Sequence, residues 1–296
     1  MSVFVAEELS EVLNTKVVIG RINMGLLNRI IIDDVLLDDQ SGQEMLKVTR
    51  LSAKFDIMPF FKGKISISSV QLFGFNINLR KETPDSPPNF KFVLDAFASK
   101  DTVKKENSLD LRINSILIRR GRMSYHVLSE EETPGKFNAK HIQLQNIIAN
   151  ISLKALSKDS LNLGIKRLSL DEKASGFSLK KMSLKLVANN KQTNIDNFTI
   201  ELPETSLKLD TIHLEYDSLK AFDRFTEQVH FSFRTLPSQV TLKDISPFVP
   251  ILSHFKEPVT LDMEVKGTVD QLTCSHLEIT ADDRQFRLRG DVSLQD

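Results

Sequence analysis

The chain of 296 residues has no tryptophan, two tyrosines and one cysteine, Cys274. A lone cysteine excludes an internal disulfide and a thiolate zinc cluster. There is no charge excess either: 39 basic residues balance 39 acidic ones. Nucleic-acid binders carry a basic surplus, so that class is excluded. No apolar run approaches the roughly 18–20 residues that span a bilayer as a helix. Neither GxSxG, a P-loop nor GxGxxG occurs. None of His126, His141, His213, His230, His254 and His276 falls in an HExxH-type spacing, so neither a metal nor another cofactor is expected.

Hydrophobic residues make up 41% and charged residues 26%, too apolar for a disordered chain. They are arranged in an eight-residue pattern: apolar, any, apolar, two polar residues, apolar, any, apolar. Full copies begin at Val17, Ile30, Leu46, Ile65, Leu111, Phe137, Leu163, Phe177, Leu207 and Leu272. Chance placement at this composition gives about three. None of the forty apolar slots holds a charged residue.

Alternation at period two is a strand with one buried face. The central gap of three would turn the second half of each copy to the opposite face. A one-residue slip at the polar pair, a β-bulge, keeps all four apolar slots together and bends the strand. The pattern therefore predicts a mainly β fold: an elongated, twisted, mostly antiparallel curled sheet forming a groove, with a few short helices. Turn signals at Asp39-Gln40-Ser41-Gly42, Arg120-Gly121, Thr133-Pro134-Gly135 and Ala174-Ser175-Gly176 favour short antiparallel connections. The uneven spacing of the copies disfavours a β-helix or propeller.

Helical periodicity occurs in residues 3–13, with Val3, Ala6, Leu9, Val12 and Leu13 on one face. Residues from Phe90, 218–225 and 244–255 are further short candidates, the last broken by Pro247 and Pro250. Residues 84–108 read as a loop and helix insertion in one continuous β-rich region, 1–296. Alternation persists to the C-terminus, as in a fragment of a longer repeat array.

So few helices cannot cover so many strands, and a bare apolar face aggregates. The face must fold over on itself, hold an apolar ligand or dock a protein. Parity places Ile65, Ile67, Val70, Leu72, Ile113, Ile116, Ile142, Leu144, Leu179, Met182, Leu209 and Ile212 as groove-lining residues. His141 and His276 fall in the polar pair and are expected to be exposed. Asp33-Asp34 and Asp38-Asp39 read as solvated bulge and turn residues, not an acid–base pair. Cys274, in an apolar slot, reads as a buried, inert thiol.

Residues 13–57 carry Lys16-Val17-Val18-Ile19-Gly20, Ile32-Asp33-Asp34-Val35, Asp38-Asp39 and Gly42 before Leu46. GKISISSVQLFGFNINL follows from Gly63, then LKDISPFVPIL from Leu242 and VKGTVDQL from Val265. In this order they resemble TamB-type proteins of the AsmA-like superfamily, the Bacteroidetes branch in particular. The resemblance implies a periplasmic β-rich body of a long protein anchored in the inner membrane by a helix absent from this fragment. It implies phospholipid acyl chains as cargo, an outer-membrane barrel protein as partner, and a part in outer-membrane biogenesis and protein secretion. No enzyme activity is expected. The alternatives are a structural scaffold assisting outer-membrane protein assembly and, more remotely, a hydrolase on a β scaffold. Matches to a Bacteroidetes O-glycosylation sequon at Asp101, Asp159, Asp210 and Asp217 read as ordinary turn residues.

Overall fold

The alternating segments form strands in a computed structural model that describes residues 2–26, 28–55, 67–98, 114–156, 160–281 and 286–295. The protein is mainly β, with a mixed, mostly antiparallel sheet and a few short helices, as the pattern predicts. Contacts divide the chain into two units, residues 1–150 with 170–176 and residues 151–169 with 177–296.

The first unit holds β1 (Val17–Gly25), β2 (Arg29–Asp38), β3 (Glu44–Phe55), β4 (Ile67–Lys81) and β5 (Ser115–Val127). It also takes the first part of β6 (His141–Leu156) and the end of β7 (Ser160–Glu172). Strands β1 to β4 pair antiparallel in sequence order. The pairing of β4 with β5 is parallel, from Ser69 opposite Ser115 to Lys81 opposite Val127. A parallel pair needs a crossover of a dozen residues or more. Residues 82–114 supply it, so the segment expected as an insertion is the crossover itself. It contains helix α2 (Lys91–Ala98); residues 99–108 lie outside the described residues.

Helix α1 (Ser2–Leu13) ends at Asn14, which takes a left-handed φ of 48° and lets the Thr15 N–H close on the Ser10 carbonyl at 3.1 Å. Its buried stripe is Ala6 and Leu13, with Ser10 between them. Val3, Leu9 and Val12, expected on that face, are exposed. The small residues explain the difference. Ser10 Oγ accepts the Val17 N–H at 3.0 Å, an approach that a longer side chain would prevent. Ala6 and Leu13 form one core with Val17, Ile19, Leu37 and Met45, joined by Phe92, Val93 and Ala96 of α2.

In the second unit, β8 (Ser178–Asn189) pairs with β9 (Gln192–Glu201). The two halves of β9 pair with β10 (Ser206–Lys208) and β11 (Ile212–Glu215), which are one interrupted strand. Opposite them lie β13 (Ser238–Val240) and β12 (His230–Arg234), both paired with β14 (Val259–Gly267). Strands β15 (Gln271–Ala281) and β16 (Phe286–Gln295) follow in antiparallel order. The interruption falls at Leu209, bridged to Thr235, whose hydroxyl accepts the Met263 N–H at 2.8 Å. Residues 244–255 break as expected, with 3₁₀ turns over Leu242–Ile245 and Pro250–His254.

Candidate functional site

Strand register assembles the apolar slots of the first unit into rows. Directly paired residues point to the same side of a sheet. One row runs Met24, Ile30, Ala53, Val70, Ile116; the next runs Ile22, Ile32, Leu51, Leu72, Ile118. Beyond the polar pairs come Ile19, Val35, Val48, Phe75, and then Val17, Leu37, Leu46, Ile77, Met123.

The two sets of rows share a face despite the gap of three. Val48 and Phe75 pack in one cluster with Leu51, Leu72 and Ile118 from across the gap. On β2, β4, β5 and β6 a left-handed residue makes the turn of the face. Asp34, Arg120 and Asn146 have φ of 55–57°, and Gly74 has 63°. Such a φ is uncommon outside glycine and enriched in Asn and Asp. Space at this level is short. A Cβ on Gly74 would lie 2.8 Å from Thr49 Oγ1, and one on Gly121 would lie 2.4 Å from the Phe75 ring.

The slip takes two forms. On β9, Asn197 (φ 53°) shifts the register against β8, so two residues face one, as a bulge requires. The Ser68-Ser69 pair shifts β4 against β3, and Ser275-His276 shifts β15 against both neighbours. Between β1, β2, β3 and β4, however, register is kept through the pairs Gly20-Arg21, Asp33-Asp34, Thr49-Arg50 and Phe73-Gly74. Each strand there meets a neighbour that slips at the same level, so the slips form a transverse crease.

Of the residues expected to line a groove, Ile67, Val70, Leu72, Ile116, Ile142 and Leu144 are half-buried residues of β4, β5 and β6. In the second unit Met182 pairs with Ile200 and Ile200 with Leu207; Ile212 and Leu186 both pair with Ile195. Leu179 and Leu209 are buried, in contact with protein. Ile65 and Ile113 lie outside the described residues. The cluster around Phe75 draws all its described partners from strands: Val35, Leu46, Leu51, Leu72, Ile77, Ile118, Met123, Leu144, Ile147 and Leu170. Ile77, Met123 and Ile147 belong to this face without having been singled out. IQLQNIIA, from Ile142, is a further full copy of the pattern that signals Ile147 and the left-handed Asn146.

A cleft of about 730 Å³ in the first unit lies away from these rows, beside Asp39, Arg80, Asn89 and Phe92. Asp39 is only 2% exposed, contrary to the solvated turn residue expected. Its Oδ1 accepts Ser41 N–H (3.0 Å), Ser41 O–H (2.7 Å) and Gln43 N–H (3.1 Å). Its Oδ2 accepts Arg80 Nη2 (2.7 Å) and Asn89 Nδ2 (3.1 Å). Burial pushes this carboxyl up, and the donors outweigh it and hold it below the ordinary aspartate range. Glu172, 3% exposed, is held down in the same way against its burial by Ser175 and by the backbone N–H groups of Gln143, Ser175 and Ala174. Asp33 is lowered by its 2.6 Å bond from Arg50 Nε. Asp39 and Glu172 anchor turns with both carboxylate oxygens engaged, and Asp33 ties β2 to β3.

His126 and His141, 15 residues apart in sequence, meet where β5 leaves and β6 begins. Their Nδ1 atoms are 3.0 Å apart, and Glu132 Oε1 lies 4.0 Å from His126 Nδ1. His141 is 6% exposed, not the exposed residue its place in the pattern suggests. The strand starts at His141 and slips only at Asn146, so His141 is not part of a slip. His276 does sit in a bulge and is exposed as expected. Cys274 is buried.

No protein-family model matches the chain, and no curated protein matches it.

Proposed function

We propose that this chain is a non-enzymatic periplasmic β-groove of a TamB/AsmA-like protein of the Bacteroidetes type, carrying phospholipid acyl chains between inner and outer membranes. The observation that supports it most is the set of in-register apolar rows across β1–β5, packed in the main by other residues of the sheet. Each methylene taken from water onto such a surface gains about 0.8 kcal/mol. Rows of Ile, Leu, Val and Met repeat similar chemistry from strand to strand, so acyl chains meet no deep trap. Head groups stay in water, and transport needs no chemical step. No helix among the described residues is long and apolar enough to cross a membrane. An outer-membrane barrel protein is the partner in this proposal, and secretion and outer-membrane biogenesis are the setting.

A photo-crosslinking amino acid at Leu72 or Ile142 in cells tests the proposal, with Phe73 as the control. Phe73 is 38% exposed and lies under the Arg120 guanidinium, 5.1 Å from the ring centre. Phospholipid adducts from Leu72 and Ile142 but not from Phe73 are expected. Adducts with protein alone would overturn conduction and favour an assembly scaffold.

A further inference from the structure

We propose that His126, His141 and Glu132 form a binding site for a divalent transition-metal ion of the zinc class. His141 Nε2 lies 2.9 Å from the Glu130 carbonyl oxygen, an acceptor only, so Nε2 carries the proton. The neutral ring then presents a bare lone pair at Nδ1. That lone pair faces His126 Nδ1 at 3.0 Å. Two lone pairs cannot face each other at this distance without a cation between them or a proton on one of them.

The geometry suits a metal. Two imidazole nitrogens bound to one tetrahedral zinc at 2.0–2.1 Å stand about 3.3 Å apart. The observed 3.0 Å is within a small ring rotation of that value. Glu132 offers the third ligand atom, with the donor atoms of all three residues within 4.8 Å of one another. Two nitrogens and a carboxylate oxygen suit zinc better than magnesium or calcium, which take oxygen. The Glu130 carbonyl is the outer-shell acceptor that commonly fixes a ligating imidazole.

The surroundings hold the ligands without competing for the ion. Lys140 Nζ, the nearby cation, is engaged by Glu130 Oε2 at 2.5 Å. Asn138 Nδ2 donates to the Glu131 carbonyl at 3.1 Å and so fixes the loop that carries Glu132. The Glu132 side chain is 62% exposed, which leaves water access to a fourth position. The ion would pin the loop 128–140 to β5 and β6. The proposal does not depend on lipid carriage.

Titration calorimetry of the full chain, free of any histidine tag, with zinc chloride at neutral pH tests it. One ion per chain is expected, with a rise in thermal midpoint and, for cobalt, the visible bands of a tetrahedral complex. His126→Gln should weaken binding at least tenfold, and Glu132→Gln several-fold. His126 is the better target because it is less buried than His141 and its change leaves the His141–Glu130 bond intact. Absence of saturable binding would overturn the site, as would an unchanged affinity in either variant.

Discussion

Strands β1–β3 and strand β15 carry the same polar-pair motif with opposite consequences. In the first set the register passes through the pairs unbroken. In the second, Ser275-His276 throws β15 out of step with both neighbours. The difference lies in the neighbours. When every strand slips at one level, the backbone hydrogen bonds stay matched and the sheet creases. When one strand slips alone, its extra residue has no partner and becomes a bulge. A motif within one strand thus sets which side chains share a face, and its alignment with the next strand sets how the sheet accommodates them.

The strongest way to break this contrast is at Gly121. Valine there would drive its Cβ into the Phe75 ring and to 3.0 Å from Ile147 Cβ, both buried residues. We expect a loss of about 3 kcal/mol in urea unfolding. Alanine at Gly290, beside the β15 bulge, meets nothing within 4 Å and should cost under about 0.5 kcal/mol.

The turn at Asp39 offers a pH test. Register shifts between Leu37 and Asp38, and the Asp39 carboxylate pins the turn that follows. Its depressed pKa means that the unfolded chain takes the proton first as pH falls. Stability is therefore present above the unfolded value of about 3.9 and is lost as pH drops through the lower folded value. Asp39→Asn should lower stability at pH 7 by about 2 kcal/mol, since Arg80 loses its partner, and should flatten the acid limb of the thermal midpoint against pH.

A further pair of substitutions sharpens the comparison. Asn146 and Asn197 share a left-handed φ, one at the level of the crease and one in a bulge. Valine at either should cost about 1–2 kcal/mol, and glycine should be close to neutral. A cost at Asn146 with none at Asn197 would show that an isolated bulge can relax where a crease cannot.

Much of the fold was legible because alternation is a property of single strands. The polar pair announced the slip at Ser68 and Ser275, where the register shifts. In β4 and β5 the pattern was hidden because Phe73 fills a polar place and Gly121 an apolar one. Both exceptions come from close packing, Phe73 under Arg120 and Gly121 beneath Phe75. The parallel pairing of β4 and β5 left no mark on either strand; only the length of their connection hints at it. Burial of Asp39 was illegible locally, since Arg80 and Asn89 come from 41 and 50 residues away. His126 and His141 meet because two strand ends meet, which no ligand spacing along the chain encodes.

Mass spectrometry of what co-purifies with the chain tests the oily surface most directly. Phospholipid should accompany the wild type and be depleted when Leu72 and Ile118, paired across β4 and β5, are both replaced by aspartate in a chain that still gives a β-sheet circular-dichroism spectrum. A wild-type chain free of lipid, or a double variant that retains its lipid in full, would contradict the account.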